Sequence, residues 1–284
     1  MVVFPNCKIN LGLKILEKRE DGFHNLETIF YPVGIKDALE IIPHSGLDET
    51  IEYTGSGNRI EGSGENNLCI KAYDLLKKDF KYLPAIKIHL HKAIPIGAGL
   101  GGGSADGAFA LKLLNEKFQL DLSDKQLLNY AAQLGSDCPF FMLNKPCFAS
   151  GRGEILEEIN LDLSHFKIAL VNPGIHINTA WAFAALASNS GSTPPIKNNM
   201  GLKEVIRQPV GTWKDTLQND FEKPVFESYP GLQEIKKILY QLGAVYSSMS
   251  GSGSTMFGIF EEEVSLSVFE SSHYFATFSP YFHW

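Results

Sequence analysis

Cysteine is scarce in this chain: 4 of 284 residues, Cys7, Cys69, Cys138 and Cys147, with no pair at CxxC spacing. That excludes a disulfide framework and a cysteine zinc site, and it reads as scattered thiols in a reducing compartment. No apolar run reaches the roughly 18 residues of a membrane-spanning helix. The start, MVVFPNCKINLGLKIL, carries Lys8 and Lys14 inside its apolar stretch and shows no small-residue cleavage site. A signal peptide is therefore not expected, and a cytoplasmic protein is. Positive charge is not in surplus either: 25 Lys and Arg against 32 Asp and Glu leave a net charge of −7. With no basic or low-complexity tail, nucleic acid and membrane surfaces are not expected partners. A small phosphate site stays open, because backbone N–H groups and one or two lysines suffice to build one.

What is present is an ordinary folded composition, 44% hydrophobic and 20% charged, on a length that allows one large domain or two medium ones. Strands are expected over 7–16 and 27–42, joined by the turn Arg19–Asn25, whose Asp21-Gly22 step favours a hairpin. Residues 50–65, with Gly55, Gly57, Gly62 and Gly64, read as another hairpin and a loop. A helix over 67–78, capped by Asn66 or Asn67, precedes a half-wet strand over 85–92 and a helix over 104–118. Ser123 to Gln126 has the spacing of a capping box and predicts a helix to about Leu134; an apolar stretch, Pro139–Leu143, follows a turn at Gly135–Pro139. The second half predicts a strand over 166–171, a helix over 179–187, a loop over 189–200, a helix over 231–242 and strands over 244–249 and 256–260. This mixture is that of a two-domain α+β protein, divided as 1–158 and 159–284. His89 and His91 recur at strand spacing, but no third ligand supports a metal site, and they read as strand surface.

Between the strand over 85–92 and the helix over 104–118 runs Pro95-Ile96-Gly97-Ala98-Gly99-Leu100-Gly101-Gly102-Gly103-Ser104. Glycine at this density lets the backbone take positive φ and approach a ligand closely. Its N–H groups, with those opening the next helix, suit phosphate oxygens, and Ser104 offers a hydroxyl to a phosphate or to Mg²⁺. No GK[ST] closes it, so it is not a Walker A loop; no acidic residue ends a following strand in a clear βαβ unit, which argues against a dinucleotide fingerprint. A tight packing bend is the plain alternative.

The same segment resembles the PxxxGLGSS[AS] motif of the GHMP kinase superfamily. Pro5-Asn6-Cys7-Lys8-Ile9-Asn10-Leu11 resembles its first motif, and Ser250-Gly251-Ser252-Gly253-Ser254-Thr255 its third, in order along nearly the whole chain. The Lys-Ile-Asn-Leu start, the Arg19-x-Asp21-Gly22-Phe23-His24 turn, the Gly99–Ser104 run and Gly135-Ser136-Asp137-Cys138-Pro139 resemble one branch of it. That branch uses ATP to phosphorylate the 2-hydroxyl of the methylerythritol unit of a cytidine diphosphate substrate, in the non-mevalonate isoprenoid precursor pathway. The resemblance implies an N-terminal ribosomal-protein-like β/α domain, a C-terminal ferredoxin-like domain, ATP as co-substrate with Mg²⁺, and a monomer or weak homodimer.

Residue by residue, the resemblance implies that Asp137 is the general base and Lys8 its partner, a carboxylate taking the alcohol proton while an ammonium steadies developing charge. Read alone, Lys8 is equally a solvated strand lysine and Asp137 a turn or cap residue. Asn10 matches the asparagine beside the acceptor polyol, Gly97 to Ser104 the phosphate cradle, and Asn67 and Leu68 the adenine pocket, with Lys92 beside it. Phe23 and His24 match the pyrimidine site, Phe183 the aromatic on its opposite side (neighbouring Trp181 competes for that role), and Thr179 a residue that reaches the phosphate or polyol. Gly102 and Gly103 depart from the serines of many relatives, and no side chain is assigned to the metal. Two other readings remain: a kinase of the same superfamily for homoserine, mevalonate or a sugar, and a nucleotide-binding regulator that needs neither Lys8 nor Asp137.

Overall fold

A computed structural model describes residues 1–44, 50–58, 66–188, 200–272 and 274–280. In chain order the first half holds β1 (Val2–Val3), β2 (Asn6–Lys18), β3 (His24–Lys36), β4 (Ala38–Pro43), β5 (Ile51–Gly57), α1 (Leu68–Asp79), β6 (Ile86–Lys92), α2 (Gly102–Phe118), α3 (Asp124–Leu134), α4 (Cys138–Leu143), β7 (Cys147–Ser150) and β8 (Ile155–Glu158). The second half holds β9 (Lys167–Asn172), α5 (Thr179–Ser188), α6 (Leu202–Val205), α7 (Glu222–Ser228), α8 (Pro230–Gln241), β10 (Tyr246–Met249), β11 (Met256–Phe260) and β12 (Phe275–Phe278). The chain packs into two compact units: one of residues 1–7, 35–96 and 101–145, the other of 8–34, 97–100 and 146–284. The division at 158/159 follows the order of motifs along the sequence; these units follow packing, and the phosphate loop threads both.

In the first unit a sheet of order β1-β4-β6-β5 carries α1 to α4. Its central strand β6 alternates strictly, with Ile86, Ile88 and Leu90 buried and Lys87, His89 and His91 facing out. Pleating therefore sends the last residue of β6, Lys92, inward as well. Helix α2 is buried on several sides, and at Gly107 a Cβ would lie 2.7 Å from Leu68 Cβ. Close approach of α1 to α2 thus explains a glycine in mid-helix. Asn67 caps α1 by accepting the N–H of Cys69 at 2.8 Å, and Ser123 and Gln126 close a capping box on α3.

The second unit holds two sheets, β2-β3-β7-β8 and β10-β11-β9-β12. Strands of the latter pair antiparallel throughout. Read from its β12 edge, their order is fourth, first, third, second, the ferredoxin-like arrangement. Its core of Ala169, Val171, Ile235, Leu239, Met249, Met256 and Phe260 lies against α8 and α7. Each such aliphatic or aromatic side chain gains about 1.5–3 kcal/mol on burial.

Two expectations are corrected. The run 27–42 is two strands, β3 and β4, in different sheets, broken at Asp37; hydrophobic pattern alone cannot mark a strand that changes sheets. Strand β5 runs parallel to β6, so it is not one arm of a local hairpin. The stretch Pro139–Leu143 belongs to helix α4, with Pro139 in its first turn, where a missing N–H costs nothing. Residues 59–65 of the expected loop and 189–199 of the second lie outside the described residues.

Candidate active site

The middle of the glycine loop is held by its carbonyls. The N–H of Thr255 donates to Ala98 O at 3.2 Å, and the N–H of Lys8 to Leu100 O at 2.9 Å. Between them Gly99 O accepts from Ser250 Oγ at 2.8 Å and Lys8 Nζ at 3.4 Å. In a planar trans peptide the N–H of the next residue points opposite to the carbonyl. Tying these carbonyls down therefore turns the following amides the other way. Buried Ala98 and Leu100 anchor the run, and Gly97, Gly99 and Gly101 take φ of 63°, 76° and 70°. Left-handed glycines at alternate positions are what an anion-binding nest requires. A Cβ on Gly99 would strike Ser250 O, and one on Gly97 would strike the His176 ring.

Lys8 is no solvated strand lysine. It is 3% exposed, its ammonium lies 2.6 Å from Asn10 Oδ1, and the Phe30 ring lies 4.8 Å from it. Asn10 is held from both ends: its Nδ2 donates to Thr28 Oγ1 at 3.0 Å, its N–H to Ser250 Oγ at 3.2 Å, and Thr28 Oγ1 donates to Gly12 O. The third motif is fixed in the same way. Asn219 Nδ2 donates to Met249 O and Gly251 O, each at 2.8 Å, and Asn172 Nδ2 donates to Thr255 Oγ1 at 3.0 Å.

In the first unit Asp137 stands at the N-cap position of α4, yet its side chain makes no capping hydrogen bond. The Ser104 hydroxyl meets the thiol of Cys138, the residue after Asp137; burial pushes that thiol up to about 12, against the Ser104 contact. The end of the glycine loop and the Asp137 turn thus share one neighbourhood. Gly103 has open space where a side chain would be, whereas a Cβ on Gly102 would lie 3.0 Å from Ile94 and 3.3 Å from Lys92 Nζ. Pro95 is half-buried and Ile96 exposed. Asn67 and Leu68 open α1, both half-buried. Lys92 is 4% exposed and ion-paired with Asp37 and Asp106.

At the expected pyrimidine end, Asp21 shapes the turn by accepting the N–H of Phe23 at 3.1 Å, and Arg19 holds the Asp21 carboxyl below its usual range. Phe23 is 55% exposed, with the Arg152 guanidinium 5.0 Å from its ring centre. His24 and Phe183, expected around a base, stack directly on each other with centroids 4.9 Å apart and planes 12° from parallel. That spacing leaves no slot for a third ring between them. Phe183 also meets Phe221 edge-on, and Trp181 packs on Tyr229 instead. Exposed Thr179 opens α5, its Oγ1 3.1 Å from Ser252 Oγ.

Thr28, Asn172, Asn219, His176 and Arg152 are supports that the sequence did not single out. They are isolated polar residues in apolar or loop surroundings, and no periodicity marks them. Only the serines of the third motif carried a signal.

Among the described residues no helix is long and apolar enough to cross a membrane, and no three of His, Cys, Asp and Glu converge as a metal site.

The fold, the nested loop and two family matches, to the GHMP kinases N terminal domain over residues 67–145 and to the GHMP kinases C terminal domain over 202–270, define a GHMP kinase of two-domain α+β architecture. Mevalonate kinase of Methanococcus jannaschii shares that fold, with a TM-score of 0.70 at 13% identity over 100% of this chain and 98% of its own. Within that class the chain belongs to the 4-diphosphocytidyl-2-C-methyl-D-erythritol kinase family. The Bacteroides fragilis member is 50% identical over 279 residues, 98% of this chain and 99% of that protein. The crystal structure of a 4-(cytidine 5'-diphospho)-2C-methyl-D-erythritol kinase superposes with a TM-score of 0.77 at 29% identity, over 98% of this chain and 99% of that one.

Proposed function

We propose that this chain transfers the γ-phosphoryl group of ATP to the 2-hydroxyl of 4-diphosphocytidyl-2-C-methyl-D-erythritol, a step of isoprenoid precursor synthesis. The observation that carries the reading is the buried Lys8 ammonium on the Gly99 carbonyl and Asn10 amide. A cation is thereby fixed against a loop whose amides are turned to receive phosphates. Asp137 takes the proton of the alcohol as its oxygen attacks the γ-phosphorus, and ADP leaves. Lys8 stabilises the negative charge that develops, and Asn10 sets where Lys8 stands and meets the polyol.

Gly97 to Ser104 hold the ATP phosphates, Asn67 and Leu68 line the adenine end, and Lys92 lies beside it. The Ser104 hydroxyl at the end of the loop is the one side chain there that could help the ATP phosphates hold Mg²⁺; the ion would supply neutralisation of charge on the transferring group. The cytosine stacks on exposed Phe23, His24 reads its edge after leaving Phe183, and Thr179 reaches the diphosphate or polyol. The functional boundary falls at 158/159, supported by family matches that end at 145 and resume at 202. The protein works as a cytoplasmic monomer or weak homodimer.

The test is ADP release, followed with a coupled assay, on the cytidine substrate, its uridine counterpart, homoserine and mevalonate. Turnover is expected with the cytidine substrate and at least about tenfold less with uridine, because the base edge presents the opposite hydrogen-bond pattern. No turnover with the cytidine substrate sinks the assignment.

A further inference from the structure

Three buried charged groups bracket the phosphate loop. Asp37 occupies the break between β3 and β4, and its Oδ1 accepts the N–H of Ala93 at 2.7 Å and of Ile94 at 2.9 Å, the two residues that lead into Pro95. Its Oδ2 accepts from Lys92 Nζ. The same ammonium reaches Asp106 Oδ2 at 2.6 Å, in the first turns of α2, where the loop ends. All three side chains are nearly inaccessible, at 0%, 4% and 4% exposure for Asp37, Lys92 and Asp106. Asp106 Oδ1 is buried and makes no hydrogen bond.

We infer that Asp37, Lys92 and Asp106 form a clasp that fixes the separation of the two ends of the phosphate loop, and that all three are positioning residues for binding of the ATP phosphates. The inference rests on the proposed kinase reading and deepens it. A loop so rich in glycine has few side chains with which to hold itself, and glycine loses the most conformational freedom on ordering. The geometry of its amides is therefore set by its two attachments. One is the end of β6, gripped through the Ala93 and Ile94 amides; the other is the start of α2, gripped through Asp106. Lys92 joins them.

Stability alone does not explain the choice, since apolar side chains of similar volume commonly do as well as a buried ion cluster. The clasp also explains Gly102: the first residue of α2 lies so close to Lys92 and Ile94 that a Cβ would crowd both. Lys92 thus serves ATP through the loop.

The experiment measures ADP, adenosine and cytidine-substrate affinity by calorimetry on the full chain at about pH 8.5, above the raised Asp106 value so that its carboxylate is ionised, for wild type, Asp106→Asn and Lys92→Met. Both variants are expected to lose ADP affinity by about tenfold or more, while adenosine and the cytidine substrate stay within about twofold. ADP affinity within twofold of wild type overturns the clasp. So does an equal loss for adenosine, which would mean that Lys92 contacts the base. If Lys92→Met does not fold, Asp106→Asn, which keeps size and shape, decides alone. If the variants lose ADP affinity as expected while the wild type does not phosphorylate the cytidine substrate, the clasp stands and the acceptor assignment falls.

Discussion

The two packing units hold their functional side chains by different means. In the first, Lys92 is fixed by two carboxylates; in the second, the Lys8 ammonium donates to the Asn10 amide oxygen and the Gly99 carbonyl, with Thr28 and Ser250 bracing those acceptors. An ion cluster sets distance strongly and tolerates little change of charge. The hydrogen bonds around Asn10, Thr28 and Ser250 spread their restraint over many groups, each neutral pair contributing about 0.5–1.5 kcal/mol net and those of the ammonium about 1.5–3 kcal/mol. Substitutions in the Lys92 cluster should thus move ATP parameters, and those at the Phe23 turn should move acceptor parameters.

The sharpest probe is Asp137→Asn. The amide fills the same space but accepts no proton from the alcohol. Turnover should fall by about 100- to 10,000-fold with ATP affinity within about twofold. Near-normal turnover in the ADP-release assay would remove Asp137 from the role of base. Gly99→Ala comes next. Its Cβ would meet Ser250 O, and its φ of 76° is one that alanine resists. Turnover should drop by about 100-fold, because a misplacement of the loop by an ångström misaligns the phosphates. A folded, fully active Gly99→Ala protein would show that the carbonyl web does not set the loop. Phe23→Ala should raise KM for the cytidine substrate by about 5- to 150-fold, the value of one lost base stack, and leave KM for ATP alone. Equal effects on both would erase the division of labour between the units.

Much of this was legible in the sequence because the informative features are local. The glycine loop, the Asn67 cap, the Ser123 box and the Asp21-Gly22 turn are each set by residues a few positions apart. The ferredoxin-like order of β9 to β12 was legible only through resemblance to a family. What stayed hidden depends on long-range pairing. Asp37 ended what looked like one continuous strand because the chain changes sheets there, and its carboxylate grips residues more than fifty positions on. Lys92 shares the inward face of β6 with Leu90, and the two carboxylates that meet it there come from distant positions. His24 and Phe183, read as two walls of one pocket, instead stack on each other across 159 positions of sequence, a long-range pairing that no local pattern marks.

The smallest effect tests the charged side of the comparison through pH. Burial, first, and then the nearby Asp37 raise Asp106 from 3.8 to about 7, against the downward pull of Lys92. In the folded protein this carboxyl therefore holds its proton where the unfolded chain has already lost it. Its contribution to stability is full below pH 3.8 and is lost as pH rises to about 7. The thermal midpoint of the wild type should fall across that window by more than that of Asp106→Asn, which cannot titrate. The groups facing Asp106 are Lys92, Asp37, Cys69 and Tyr53. Of these, Cys69 and Tyr53 are pushed upward by burial, and Lys92, which burial pulls down, is raised on balance by its two carboxylates, so none of the three titrates in that window. Lys92 keeps its charge throughout, so what changes is whether one carboxylate or two balance it. Equal slopes for the two proteins in differential scanning calorimetry would mean that both carboxylates stay ionised, and that the cluster carries a full extra negative charge at the foot of the phosphate loop.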